Sequence, residues 1–397
     1  MPARERLPAA VYCLACTHGV VDGYASIYAP LLPLLIPRLG LTLTAAGTLA
    51  MLFQLSGSVS QLGFGHLADR WRPMVLITVG PFISAAVLSL VGLATTPVML
   101  GIILLVGGLG GAAFHPTAAA LVDRLGGARR GLAMSVHISG GSIGFALAPL
   151  LFAPFVQRFG LVWTPILALP GIGLLFLLLG GIPPVDLRQG GRTGGLRALR
   201  PFFRPLMALY LIVVLRTLTS LSFVTFLPVM LTRRGFSVGE AAAAISLFLF
   251  SSGVGGFLGG PLADRFGPKR VIAVSLIVAA PLLMIAMGLR GPIFLVVLAC
   301  GAIALQSTLP VNVTFAHAIA PVSAGTVSSL MLGFAWGSGG VLVPLIGMGA
   351  DWMGIEATLR LIAAAPLLAA FCTWPLPGGR LTHAPARAAD LGMPETA

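Results

Sequence analysis

The sequence predicts an all-α membrane protein of twelve transmembrane helices, arranged as two parallel six-helix halves related by a pseudo-twofold along the membrane normal. Three observations predict it. The 397-residue chain is 57% hydrophobic and only 9% charged, with a mean hydropathy of +1.01, whereas soluble domains carry about 25% charged residues. A soluble fold must show water a largely polar outside, and a lipid solvent removes that demand. Apolar stretches of membrane-crossing length recur along the whole chain, and the second half repeats features of the first at a near-constant offset.

A crossing helix needs roughly 20 apolar residues. Such stretches fall at 9–36, 45–68, 74–94, 97–121, 131–157, 162–182, 205–232, 240–262, 271–289, 292–317, 325–350 and 357–376. The first is too long for the apolar core of a cleavable signal and reads as a span. The breaks carry turn and charge signals, such as Asp69-Arg70-Trp71-Arg72-Pro73 and Asp264-Arg265-Phe266-Gly267-Pro268-Lys269-Arg270. The longest break, 183–204, is rich in Gly, Pro and Arg. It divides the chain into an N-terminal half (1–182), a cytoplasmic linker (183–204), a C-terminal half (205–376) and a cytoplasmic tail (377–397). The 51 glycines and 30 prolines lie largely inside apolar runs, where transmembrane helices tolerate them.

The net charge of +13 does not imply nucleic acid, because the basic residues are scattered between apolar segments and form no face. With the N-terminus inside, 17 of the 24 basic residues fall on the cytoplasmic side and six outside, and Arg216 lies within a span. Positive loops favour the cytoplasm, so both termini are expected there, in a multi-pass inner-membrane protein. Cys13, Cys16, Cys300 and Cys372 sit in apolar stretches and imply no disulfide framework. Cys13-Leu14-Ala15-Cys16 has a formal metal spacing, but buried small apolar residues explain it better. Neither a metal nor a cofactor is expected.

The internal repeat organises the rest. Gly65-His66-Leu67-Ala68-Asp69-Arg70 after the second span recurs as Gly260-Pro261-Leu262-Ala263-Asp264-Arg265 after the eighth, 195 residues on. Pro33 and Gly40 recur as Pro228 and Gly235, Pro116 and Gly131 as Pro310 and Gly325, and Gly144 and Pro149 as Gly339 and Pro344. An offset that holds through loops and spans means a duplicated six-span unit. An even number of spans leaves the copies parallel, with a binding site near the midplane between them.

These residues carry a resemblance. The G-x-L-A-D-R segments resemble the loop signature of the major facilitator superfamily, and the second copy, with Gly267, Lys269 and Arg270, is the fuller match. Several stretches are similar to the fosmidomycin-resistance type of exporter: Thr17-His18 with Asp22, Phe114-His115-Pro116, Gly131-Leu132-Ala133-Met134-Ser135 with Gly140-Gly141, and Gly333-Phe334-Ala335-Trp336-Gly337 with Gly339-Gly340. Thr117 stands where that pattern carries an acid. The resemblance implies the major facilitator fold and a secondary transporter. It also implies that Asp69, Arg70, Asp264 and Arg265 act as a gating latch between the halves in the outward-facing state.

Ionisable groups inside the bilayer are costly and mark pathways. Asp22 lies near the midplane, about 18 Å into the first span, and His18 one turn earlier shares its face. This pair is the candidate for proton coupling, set against a purely structural hydrogen-bonded pair. Arg216 is the one basic residue deep in a span, one position from the repeat counterpart of Asp22. The spacing leaves open whether the two meet. Arg216, Gln54, His115, His137, Gln306 and Asn312 are candidate substrate-binding residues, with helix packing as the alternative for the uncharged ones. The glycine runs Gly107-Gly108, Gly110-Gly111 and Gly253, Gly255-Gly256 are mid-span and precede no Walker lysine, so they read as helix-packing surfaces.

The expected function is proton-coupled export of a small molecule or drug by alternating access, with an anion as the leading class. The alternative is a proton-coupled uptake symporter for an organic anion. From another class, a transporter-like sensor or a membrane-embedded enzyme is weighed. The enzyme is disfavoured because His115, His137 and His317 have no carboxylate clustered with them in sequence and no H-E-x-x-H occurs. The partners expected are the substrate, protons and the lipid bilayer, with no nucleic acid and a monomer as the working unit.

Overall fold

The structure, a computed structural model, describes residues 7–61, 63, 64, 67, 73–183, 196–321 and 324–378, without the side chains of 196–198, 324 and 325. Among the described residues it is all helical. Twelve crossings can be traced: α1 (Ala9–Leu39), α2 (Leu43–Ser58), α3 (Pro73–Leu93), α4 (Pro97–Gly126), α5 (Arg130–Phe159), α6 (Leu161–Leu179), α7 (Phe203–Arg233), α8 (Val238–Phe266), α9 (Pro268–Ala286), α10 (Gly291–Ile319), α11 (Thr326–Met353) and α12 in two pieces, Ile355–Ile362 and Ala365–Phe371. Length and hydropathy alone mark nine runs among the described residues, because α4 and α5 form one 63-residue run and α2 and α12 fall short. A tight corner at Gly127–Arg129 separates α4 from α5. Of the gating residues, Asp69 and Arg70 lie outside the described residues, as do most of the 183–204 linker and the 377–397 tail.

Four helices break just ahead of a proline. Proline lacks an N–H, and its ring clashes with the carbonyl four residues back. Pro30, Pro310, Pro344 and Pro366 therefore act on Ser26, Gln306, Gly340 and Ile362, and the helices are interrupted at Ser26–Ile27, Ser307, Leu342 and Ala363–Ala364. Irregular backbone at membrane depth is tolerated where protein surrounds it. The first two breaks lie beside polar side chains of the interior.

The repeat has a physical basis at its turns. Gly40 and Gly235 both adopt positive φ, 61° and 92°, a region that residues with a Cβ rarely occupy. Each turn leads into a side-chain-capped helix. Thr42 Oγ1 accepts from the Ala45 N–H at 3.0 Å, and Ser237 with Glu240 forms a reciprocal capping box at the start of α8. Within the N-terminal half, α1 and α5 approach backbone to backbone. A Cβ on Gly140 or Gly144 would run into the main chain of Ala15 or Gly19, the small-residue packing used between membrane helices. Leu177, Phe257 and Phe371 point outward and are largely exposed, as lipid-facing residues should be.

Four hydrogen bonds join the halves at the end that holds the α1–α2 and α7–α8 turns. The Asp351 carboxylate, on α11, accepts from the N–H groups of Leu43 and Thr44 at 2.8 Å each and from Thr44 Oγ1 at 2.7 Å. Gln157 Oε1, on α5, accepts from the Gly239 N–H at 2.9 Å. Gln157 and Asp351 are repeat counterparts, as are Thr44 and Gly239. Each half therefore caps the first turn of a helix in the other and ties this end of the bundle together.

Candidate functional site

The interior polar residues fall into two clusters, one per half. In the N-terminal half, α1, α4 and α5 bring four ionisable residues together. Asp22 Oδ2 lies 3.2 Å from His18 Nε2, and its Oδ1 lies 3.5 Å from His115 Nε2. The His18 ring stacks on His137 with centroids 4.3 Å apart and meets His115 edge-on at 5.0 Å. The i,i+4 spacing of His18 and Asp22 gives one contact, and the close α1–α5 packing delivers His137. A Cβ at Gly141 would come within 2.6 Å of both Asp22 Oδ2 and His18 Nε2, so glycine there leaves room for the pair.

One hydrogen bond fixes the tautomer of His18. His18 Nδ1 lies 2.9 Å from the His137 carbonyl oxygen, which can only accept, so Nδ1 carries the proton. In the neutral ring Nε2 is then a bare lone pair facing a carboxylate, and two acceptors repel. The pair is completed by one cation, and a proton on Nε2 is the simplest. The cluster is reachable: the side chains of Asp22, His115 and His18 keep 24%, 27% and 13% of their surface. His18, Asp22 and His115 also offer three donor atoms within 4.8 Å of one another, a set able to hold a metal ion.

The second cluster centres on Arg216 of α7, the only arginine or lysine among the buried described residues, at 1% exposure. Its Nη1 donates to Gln306 Oε1 at the α10 break, and its Nη2 donates to Thr217 Oγ1 at 3.1 Å. The guanidinium lies over the Trp336 ring, 5.3 Å from its centre, and Gln306 Nε2 donates to Ser220 Oγ at 2.9 Å. Arg216 Nε, Trp336 Nε1 and both side-chain atoms of Asn312 make no hydrogen bond among the described residues. Among those residues no carboxylate pairs with Arg216; Asp22 pairs with His18 and His115 instead. An uncompensated buried cation is expensive, so this cluster is suited to an anion.

The remaining candidates take other positions. Gln54 donates to Ser58 Oγ at 2.7 Å on its own helix and packs beside Gly340 of α11, at the contact between the halves. Asn312 is buried on α10, six residues beyond Gln306. Asp264 and Arg265 are exposed at the end of α8, where the Arg265 guanidinium lies 5.1 Å from the centre of the Phe266 ring. The sequence reading missed Trp336, Ser220 and Thr217 around Arg216, and Asp351 with Gln157 at the sealed end.

The architecture is that of a known family, whose model, the Major Facilitator Superfamily, matches residues 14–344 and 209–391. The chain belongs to the Major Facilitator Superfamily. It is 31% identical to the uncharacterized MFS-type transporter YfnC of Bacillus subtilis over 88% of each chain. It is 27% identical to the fosmidomycin resistance protein of Escherichia coli over 89% of each. Among solved structures it is similar to a bacterial homolog of the human lysosomal transporter Spinster, with a TM-score of 0.77, 19% identity, and coverage of 92% of this chain and 95% of that one. It is therefore a multi-pass membrane transporter of this superfamily, not an enzyme.

Proposed function

We propose that this transporter exports a small anionic molecule or drug in exchange for protons, by alternating access. The observation that carries the proton assignment is the His18–Asp22 pair, whose imidazole is held by the His137 carbonyl so that its free nitrogen faces the carboxylate. The pair takes up one proton when open to the acidic side and releases it on the other. Arg216, without a carboxylate partner among the described residues, supplies the anion subsite, with Gln306 orienting the guanidinium and Trp336 forming a wall. His115 and His137, read from the sequence as substrate-binding, lie against the His18–Asp22 pair, and this reading assigns them to the proton site. Export is supported by similarity to a relative named for fosmidomycin resistance.

The arginine distribution supports both termini in the cytoplasm; on that reading the end tied by Asp351 and Gln157 is periplasmic and the conformation is inward-facing. Residues 1–182 and 205–376 then rock about the two clusters, with 183–204 as the cytoplasmic linker.

Charge balance favours a second reading, uptake of an organic anion together with a proton. Loading a proton at Asp22 and a monoanion at Arg216 leaves the net charge of the interior unchanged. Loading either alone leaves an uncompensated charge at membrane depth, which is costly. The test begins with a thermal-shift screen of purified protein against small carboxylates, phosphonates and neutral drugs. The hit is then followed by flux in proteoliposomes under an imposed pH gradient. Movement of the hit against the proton gradient supports export by antiport, and movement with it supports symport. A hit that moves with no dependence on pH removes proton coupling.

A further inference from the structure

We propose that His18, Asp22 and His115 also form a binding site for one divalent transition-metal ion of the zinc type. The proton pair itself needs only His18 and Asp22, and His115 stands beside it as a third candidate ligand. His115 Nε2 faces the other carboxylate oxygen at 3.5 Å, while His18 Nε2 faces the first at 3.2 Å. Ligands on one tetrahedral ion, with metal–ligand bonds of about 2.0–2.2 Å, sit a little over 3 Å apart, close to the length of each contact; because the contacts end on different oxygens of Asp22, the ion would lie between the two rings and draw on the whole carboxylate. The three donor atoms lie within 4.8 Å of one another, and His115 is the most exposed of the three.

Three further features fit a metal. His18 donates its remote ring nitrogen to the His137 carbonyl, the outer-shell contact that fixes the tautomer and orientation of a ligating histidine. Gly141 leaves open the space beside Asp22 Oδ2 and His18 Nε2 that any Cβ would enter. Partial exposure of all three side chains provides entry. Two imidazoles and one carboxylate select zinc, cobalt or nickel over calcium or magnesium, which take oxygen ligands. Three protein ligands leave a position for water or for a chelating group of a bound molecule. Because metal binding requires deprotonated donors, the ion and the coupling proton compete for one site.

This inference uses the same residues as the proposed proton site, but it does not depend on the substrate or the direction of transport. The experiment titrates Co2+ into the purified full-length chain, carrying a tag without histidine, and follows the visible absorption of the bound ion. We expect saturable one-to-one binding, reversed by Zn2+, that weakens by at least about 100-fold in Asp22→Asn and His115→Gln. His317→Gln, a histidine elsewhere that contacts Ser328, should bind Co2+ as the parent does. Zn2+ should raise the melting temperature of the parent but not of Asp22→Asn or His115→Gln, and metal-free melting of each variant shows that it is folded. Absence of the Co2+ signal, or a signal indifferent to both substitutions in folded protein, overturns the proposal. The proton reading is tested apart from it, by pH-driven flux of Asp22→Asn without metal, so either can fail alone.

Discussion

Replacing Asp351 by alanine should loosen the sealed end of the bundle without touching either interior cluster. The carboxylate accepts two backbone N–H groups from the first turn of α2 and the Thr44 hydroxyl, all within 2.8 Å. A side-chain cap contributes about 0.5–2 kcal/mol, and a carboxylate at a helix N-terminus also benefits from the macrodipole. Asp351 is exposed, so water replaces part of what is lost and about 1 kcal/mol is the reasonable magnitude. That corresponds to about a fivefold shift in the equilibrium between sealed and open forms of this end. Gln157, its repeat counterpart, makes one uncharged contact and should matter less. The assay is double electron–electron resonance between spin labels at Arg38 and Arg290, exposed positions on opposite halves near this end, in a cysteine-free background. Asp351→Ala should enlarge the long-distance population about fivefold, Asp351→Asn by less, and Gln157→Ala by the least. An unchanged distance distribution in Asp351→Ala would refute the view that exchanged helix caps hold the halves together.

Three other outcomes follow from the same geometry. Arg216→Gln should weaken binding of an anionic ligand by about tenfold or more, on the scale of charge-assisted hydrogen bonds. Arg216→Lys should lose less, as read by isothermal titration. Arg234→Ala should lower the melting temperature, because Arg234 donates to Glu356 Oε1 at 2.7 Å and to the Met287 carbonyl at 2.5 Å, fastening three segments of the C-terminal half. Glu356→Gln should lower the melting temperature by less than Arg234→Ala, because the Met287 contact of Arg234 remains. Asp264 is exposed at the end of α8 in this conformation, so Asp264→Asn should leave its melting temperature unchanged while depleting the outward-facing population in the same spin-label assay.

Much of the fold was legible because lipid imposes a simple rule on sequence: a crossing must be long, apolar and helical. The repeat of Gly40 in Gly235 was legible because both turns require a positive φ, whereas Pro116 and Pro310 match in sequence although only Pro310 interrupts its helix. The α4–α5 corner was legible from Asp123, Arg124, Arg129 and Arg130 around Gly127, although the short Gly127–Arg129 helix leaves the helical run unbroken through it. In the site, the His18–Asp22 contact follows from one turn of helix. The arrival of His115 and His137 does not, since it depends on how α4 and α5 pack on α1. Arg216 stood out as a buried charge, but its partners Gln306 and Trp336 come from α10 and α11, and nothing in sequence spacing links them. The Asp351 and Gln157 caps escaped notice because the two residues differ in type, although they occupy equivalent positions in the repeat.

The central claim is that Asp22 carries the proton that drives transport, and flux through Asp22→Asn tests it most directly. Parent and variant are reconstituted in proteoliposomes with the ligand found by thermal shift. Two fluxes are measured: accumulation under an imposed pH gradient, and exchange of labelled for unlabelled ligand with no gradient. The asparagine keeps the size of the side chain but cannot release a proton. The account predicts that pH-driven accumulation is abolished while exchange continues, because Arg216 and the rocking of the halves remain intact. Full pH-driven accumulation by Asp22→Asn would contradict it.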